Sequence, residues 1–199
     1  MSTQSKLTLL VSSLIFAGLS ALATAAPISP QPVETRAMAP TLTLPLVGLT
    51  LENSGVAEAL LKKAGSMEMP AVMAVKIDVK KREAVLTLNE GRTLSLNEVT
   101  RALRHSRFSV SRERLVVPAG ARLVIDGLRS QREVASLSTN LEKVGRLSAI
   151  DANKVQMGST SARLTSMSNL KFQSVWDSVA MTPAEYPPIL DDVVFGATH

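Results

Sequence analysis

A local pattern occurs twice, 79 residues apart, and restricts the fold more than any other feature of this chain. A short β-rich run ends in Gly-Leu and passes into an amphipathic helix at Val47-Gly48-Leu49-Thr50-Leu51-Glu52-Asn53-Ser54. The arrangement returns at Asp126-Gly127-Leu128-Arg129-Ser130-Gln131-Arg132-Glu133. Self-similarity at a fixed period marks a duplicated unit, so the elements that follow the first turn are expected again after the second.

The first pass begins with Thr41 to Leu51, rich in Leu, Val and Thr with partial alternation, which favours a strand; Pro45 suggests a sheet edge or a bulge. Ser54 to Ala64 reads as a helix with Val56, Ala59 and Leu60 on one face, Lys62 and Lys63 at the negative end of its dipole, and Gly65 as its stop. Val72 to Val79 and Ala84 to Leu88 form a hairpin about the polar turn 80–83. Ser95-Leu96-Asn97-Glu98 is a capping box ahead of Leu96, Val99 and Leu103 at helical spacing, and Phe108 to Val117 is a final strand.

The second pass repeats the order. Leu123 to Leu128 is a strand, and Val134, Leu137, Leu141 and Val144 form one stripe of a helix that Gly145 ends. Leu147 to Met157 and Ala162 to Met167 are strands around Gly158-Ser159-Thr160. Phe172, Val175, Trp176 and Val179 mark a second helix, and Ile189 to Phe195 closes the unit. Strand, helix, strand, strand, helix, strand is the ferredoxin-like order. The expected fold is α+β, with two tandem ferredoxin-like βαββαβ sandwiches at 41–118 and 121–197. One larger α+β domain with accidental symmetry is the alternative; 199 residues with 45% hydrophobic content suffice for either.

Residues 1–25 read as a signal peptide. Lys6 supplies the positive start, Leu7 to Ala23 the apolar run, and Ala23-Thr24-Ala25 the small-x-small cleavage site. An uncleaved anchor is the alternative, but the apolar run contains Ser12, Ser13 and Ser20 and is short for a span of about 20 residues. Residues 26–40, with Pro27, Pro30, Pro32 and Pro40, read as a linker. A periplasmic or secreted location follows. The chain has no cysteine, so thiolate chemistry and thiol-ligated zinc are excluded and packing alone must hold the core.

Several stretches of the first repeat resemble heavy-metal-associated domains of the copper-chaperone and mercury-carrier type. Gly48-Leu49-Thr50 resembles that family's Gly-Met-Thr, and Val56-Ala57-Glu58-Ala59-Leu60 resembles its first helix. Val75-Lys76-Ile77-Asp78 and Ala84-Val85-Leu86-Thr87 resemble its hairpin, and Ser95 to Leu103 followed by Phe108 resembles its second helix and the aromatic residue beyond. The resemblance covers nearly all of 41–117 and implies an ion site at the first turn. The family's Cys-x-x-Cys maps onto Leu51 and Ser54, and in the second repeat onto Ser130 and Glu133. Two thiolates at that spacing converge on Cu(I), whereas leucine has no donor and a serine hydroxyl is a poor ligand for it. The usual site is therefore expected to be lost at both turns.

Met67, Met69 and Met73 offer the one replacement, because thioethers bind Cu(I) where free thiols would be oxidised. Core filling by flexible methionine is the preferred reading. His105, near the end of a helix, and His199, the last residue, lack partners at metal-ligand spacing. Catalysis lacks its parts: there is no cysteine and no G-x-S-x-G turn, and alternation would send Asp191 and Asp192 to opposite faces of a strand.

Charge is uneven. Lys62 to Arg122 carries 13 Lys and Arg against 6 Asp and Glu, while Leu123 to His199 carries 7 against 8. Lys80, Lys81 and Arg82 occupy the hairpin turn, and Arg101, Arg104 and Arg107 recur at three-residue steps along the second helix, which suggests a basic face for an anionic surface or an acidic partner. Nucleic acid is not expected, since the paired aromatics of an RNA-binding sheet are missing. The expected function is non-catalytic binding without a cofactor. The chain reads as a protein-interaction or scaffold module that meets another exported or membrane protein, or an anionic surface, through a sheet edge or the basic face. A copper-type metal-binding accessory with methionine ligands is the alternative.

Overall fold

Alternate burial decides where the first strand sits. Leu42, Leu44 and Leu46 turn into the core while Thr41, Thr43 and Val47 face out. The structure is a computed structural model that describes residues 39–65, 70–148 and 162–196. In chain order its elements are β1 (Thr41–Val47), α1 (Ser54–Lys62), β2 (Val72–Asp78), β3 (Glu83–Leu88), β4 (Leu94–Ser95), α2 (Leu96–Leu103), β5 (Ser109–Val110), β6 (Val116–Val117) and β7 (Arg122–Asp126). They continue with α3 (Gln131–Glu142), β8 (Ala162–Thr165), β9 (Leu170–Lys171), α4 (Phe172–Ala180) and β10 (Ile189–Phe195). The class is α+β, and the paired strands are antiparallel.

The strands form two four-stranded sheets and one two-stranded sheet. The first has the order β2-β3-β1-β5, the second β4-β10-β7-β8. The strand that precedes each glycine turn is central: β1 lies between β3 and β5, and β7 between β10 and β8. Helix α2 is started by the expected box: Glu98 N–H donates to Ser95 Oγ at 3.0 Å, and Ser95 N–H donates to Glu98 Oε2 at 2.8 Å.

The halves are also stitched together by strands too short to show in the sequence. At the end of β10, Val194 and Phe195 pair with Ser95 and Leu94 of β4; in β6, Val116 and Val117 pair with Lys171 and Leu170 of β9. Leu94 and Leu170 each stand two residues before a helix begins, at Leu96 and Phe172. Each half thus ends its last strand against the other half's helix entry, and the two crossings correspond under the repeat. Leu94, Val117, Leu170 and Phe195 are all buried in one core that draws on both halves. Two polar ties accompany β4: Asn97 N–H donates to Asp192 Oδ1 at 3.1 Å, and Asn97 Nδ2 donates to the Asp191 carbonyl at 3.0 Å. Arg112, between β5 and β6, stacks on Trp176 of α4 at 5.0 Å.

Several expectations need correction. Phe108 to Val117 is not one strand, because β5 and β6 join different sheets. Pro45 is neither at a sheet edge nor at a bulge. Leu46 N–H donates to the Arg82 carbonyl on the β3 side, so alternation turns the proline nitrogen toward β5, where Pro45 takes part only through its carbonyl, which accepts from Ser111 N–H at 2.8 Å just past the end of β5. Helix α1 buries Ala57 and Leu61, followed by Ala64, at helical spacing, and leaves Val56 and Ala59 exposed. Residues 149–157, assigned to a strand, lie outside the described residues; Leu147 makes an isolated bridge to Ser166. The signal peptide, residues 26–38 of the linker, Met67, Met69, Gly158 to Thr160 and His199 also lie outside them. Among the described residues no helix is long and apolar enough to cross a membrane.

Candidate functional site

Three turns meet at one end of the first sheet. Antiparallel pairing of Pro45 with Glu83 and of Val47 with Ser109 places the 79–82 hairpin turn, the Gly48 turn and the segment entering β5 side by side. Gly48 has φ 83°, and a Cβ there would stand 2.3 Å from the Arg107 carbonyl oxygen. Only glycine permits both the left-handed backbone and this approach. Leu49 drops into the core, whereas Leu51 is 79% exposed. Asn53 ties the loop between them: Thr50 N–H donates to Asn53 Oδ1 at 2.7 Å, and Asn53 Nδ2 donates to the Gly48 carbonyl at 2.9 Å. Ser54 Oγ donates to the Leu51 carbonyl at 2.9 Å, so the two positions that correspond to the cysteine pair bond one another through backbone and hydroxyl.

A groove of about 770 Å³ opens between this loop and the segment Arg104 to Phe108. Val56, 56% exposed, and the half-buried Leu60 give it an apolar floor, a consequence of the way α1 is turned. Its other wall is cationic. Helix α2 stops at Leu103, Arg104 takes an extended ψ of 141°, and His105 reverses the chain at φ 67°. The three arginines therefore do not run along one helix as their spacing suggested. Arg101 lies in the last turn, while Arg104 and Arg107 flank His105 on the groove's rim. Among the described residues neither Arg104 nor Arg107 has an ion pair or a side-chain hydrogen bond. Glu52 is the one acid of the lining. Lys80, Lys81 and Arg82 are exposed on the hairpin turn at the same sheet end, and the Lys81 carbonyl is held by Arg114 Nη2 at 2.9 Å.

The second turn has the same backbone and a different use. Gly127 has φ 93°, and a Cβ there would meet Pro188 Cα at 3.3 Å and the Pro187 carbonyl oxygen at 3.5 Å, as Gly48 meets Phe108 and Arg107. Ser130 and Glu133 are a capping box for α3. The sequence signal Ser-x-x-Glu is the one recognised at Ser95, so these positions were legible as a cap. Glu133 is buried, and its carboxylate accepts N–H bonds from Arg129 at 2.5 Å, Ser130 at 3.1 Å and Glu185 at 3.4 Å. Arg129 stacks on Tyr186 at 4.0 Å. The Glu185 to Pro188 segment is thereby tied to the turn.

The Arg129 N–H bond, aided by those of Glu185 and Ser130 and by the Arg129 charge, lowers the Glu133 pKa against the opposing effect of burial. A depressed carboxylate stabilises the fold fully above its unfolded value, about 4.3, and loses that contribution as pH falls through the lower folded value. Glu133→Gln is expected to cost about 1–2 kcal/mol at pH 7. Urea unfolding at pH 7 and pH 3.5 checks this: the gap from wild type should narrow at the lower pH, and a constant gap would count against the carboxylate's role. Asp126 shifts the other way, raised by burial and then by the nearby Asp191 charge.

Metal ligation finds no support at Leu51, Ser54, Ser130 or Glu133, whose donors are absent or engaged as above. Met73 does not fill the core; it is 58% exposed on β2, the outer strand of its sheet, beside a register shift. Among the described residues no three His, Cys, Asp or Glu side chains cluster to hold an ion. Searches against protein-family models and curated protein sequences find no match.

Proposed function

We propose that this chain is an exported, non-catalytic binding module of two ferredoxin-like repeats, the first akin to heavy-metal-associated domains. In this reading it holds a partner at the turn where that family carries its ion. The groove beside Gly48 is the observation that carries the proposal: an apolar floor of Val56 and Leu60 under a rim of Arg104, His105 and Arg107. Apolar area with a few charged groups at its edge is the usual composition of a recognition surface. The order β2-β3-β1-β5 supports the first ferredoxin-like unit, and β10-β7-β8 gives the matching neighbours in the second.

Affinity capture from a cell-envelope extract, with the chain lacking residues 1–25 as bait, tests the reading. A partner recovered by the native bait is expected to fall at least tenfold with Arg101→Glu, Arg104→Glu and Arg107→Glu combined, about 1.4 kcal/mol or more of binding. Unchanged recovery would move the docking site away from this face.

A further inference from the structure

Resting on that reading, we infer that the first groove takes an extended acidic segment of a partner protein, laid between the Gly48 loop and the segment Arg104 to Phe108. The two turns superpose in their contacts. Gly48 abuts the Arg107 carbonyl and Phe108 Cα, and Gly127 abuts the Pro187 carbonyl and Pro188 Cα. What differs is the length of chain leading there. Three residues, 104–106, join the end of α2 to Arg107, whereas six, 181–186, join the end of α4 to Pro187.

The longer connection lets Tyr186 reach under Arg129 and lets the Glu185 N–H reach the Glu133 carboxylate. On the first turn Leu51 and Val56 are mostly exposed; Ser130 and Ala135, 79 residues on, are exposed too, but only the first turn presents large apolar side chains there. The wall it builds instead carries Arg104, His105 and Arg107, with Lys80, Lys81 and Arg82 two strands away on the hairpin turn. A segment that fits this groove offers apolar contact to Val56 and Leu60 and brings carboxylates to the rim. Charge complementarity of this kind selects among partners and speeds encounter.

The test is a titration of the isotope-labelled chain, followed by amide NMR, with an eight-residue peptide of Asp and Glu around a central Tyr-Pro. The expected result is saturable shifts at Thr50, Leu51, Val56 and residues 104–108. Arg104→Glu with Arg107→Glu should weaken binding at least tenfold, and Val56→Asp should weaken it comparably; both changes lie on the surface, and unaltered thermal unfolding ties the loss to the groove. No shifts at millimolar peptide, shifts elsewhere, equal binding of the Lys-for-Asp/Glu peptide, or an equal response to inorganic phosphate or acetate alone would each overturn the inference. Capture of a partner in the envelope experiment together with such a failure leaves the binding module standing and removes only the acidic segment.

Discussion

Gly48→Ala is expected to destabilise the protein by about 3–4 kcal/mol and to lower its midpoint of thermal unfolding by roughly 10 °C. Two costs combine. At φ 83° an L-residue is strained by about 1–2 kcal/mol, and the new Cβ would start 2.3 Å from the Arg107 carbonyl oxygen, which belongs to backbone and cannot swing away. Relief requires the 104–108 segment to move outward, so the groove should widen and partner capture should weaken with stability. Gly55→Ala is the control. Gly55 sits in the first turn of α1 with nothing within 4 Å of an added Cβ, and alanine there should stabilise by about 0.5–1 kcal/mol. Calorimetry of the two variants decides: a midpoint for Gly48→Ala within about 2 °C of wild type would mean that the close approach is not a constraint.

Phe195→Ala should cost about 3–5 kcal/mol, as deletion of a fully buried aromatic ring does. The more telling readout is where the loss is felt. Phe195 closes the second half's last strand, yet it pairs with Leu94 of the first half and lies in the core that both share. Hydrogen exchange should therefore quicken in β4 and α2 as well as in β7 and β10, within one cooperative transition. Loss of protection confined to residues beyond 121 would show that the strand crossings are decorative contacts between independently stable halves.

These two residues show how unevenly the chain discloses itself. Gly48 and Gly127 were visible as repeated punctuation, and the structure gives each the positive φ that a strand-to-helix turn demands. Ile189 to Phe195 and the capping box at Ser95 were equally plain, because period and cap chemistry are local. Helix α1 is turned by one position from the face that its sequence suggests. With Val56, Ala57, Ala59, Leu60, Leu61 and Ala64 all apolar, two faces compete, and only packing chooses Ala57, Leu61 and Ala64. That choice exposes Val56 and so creates the groove's floor. The rim was half legible: the spacing of Arg101, Arg104 and Arg107 was right, but the helix stops at Leu103 and His105 turns the chain toward the Gly48 loop.

By itself the sequence determined the recurring Gly-Leu turn, the four helices and the longer strands β1, β2, β3, β7 and β10, the absence of cysteine at both turns and the basic bias of Lys62 to Arg122. Each rests on residue type or on near-neighbour spacing, which carry no knowledge of distant partners. Tertiary structure alone decided the rest. The two-residue strands β4, β6, β9 and the end of β10 acquire their pairing only when the halves meet, since pairs this short lack local stability. Likewise the connections that lead to the two glycine turns differ by three residues, and only in the fold does one bring Glu185 and Tyr186 to Glu133 and Arg129 while the other sets Arg104, His105 and Arg107 along an apolar groove.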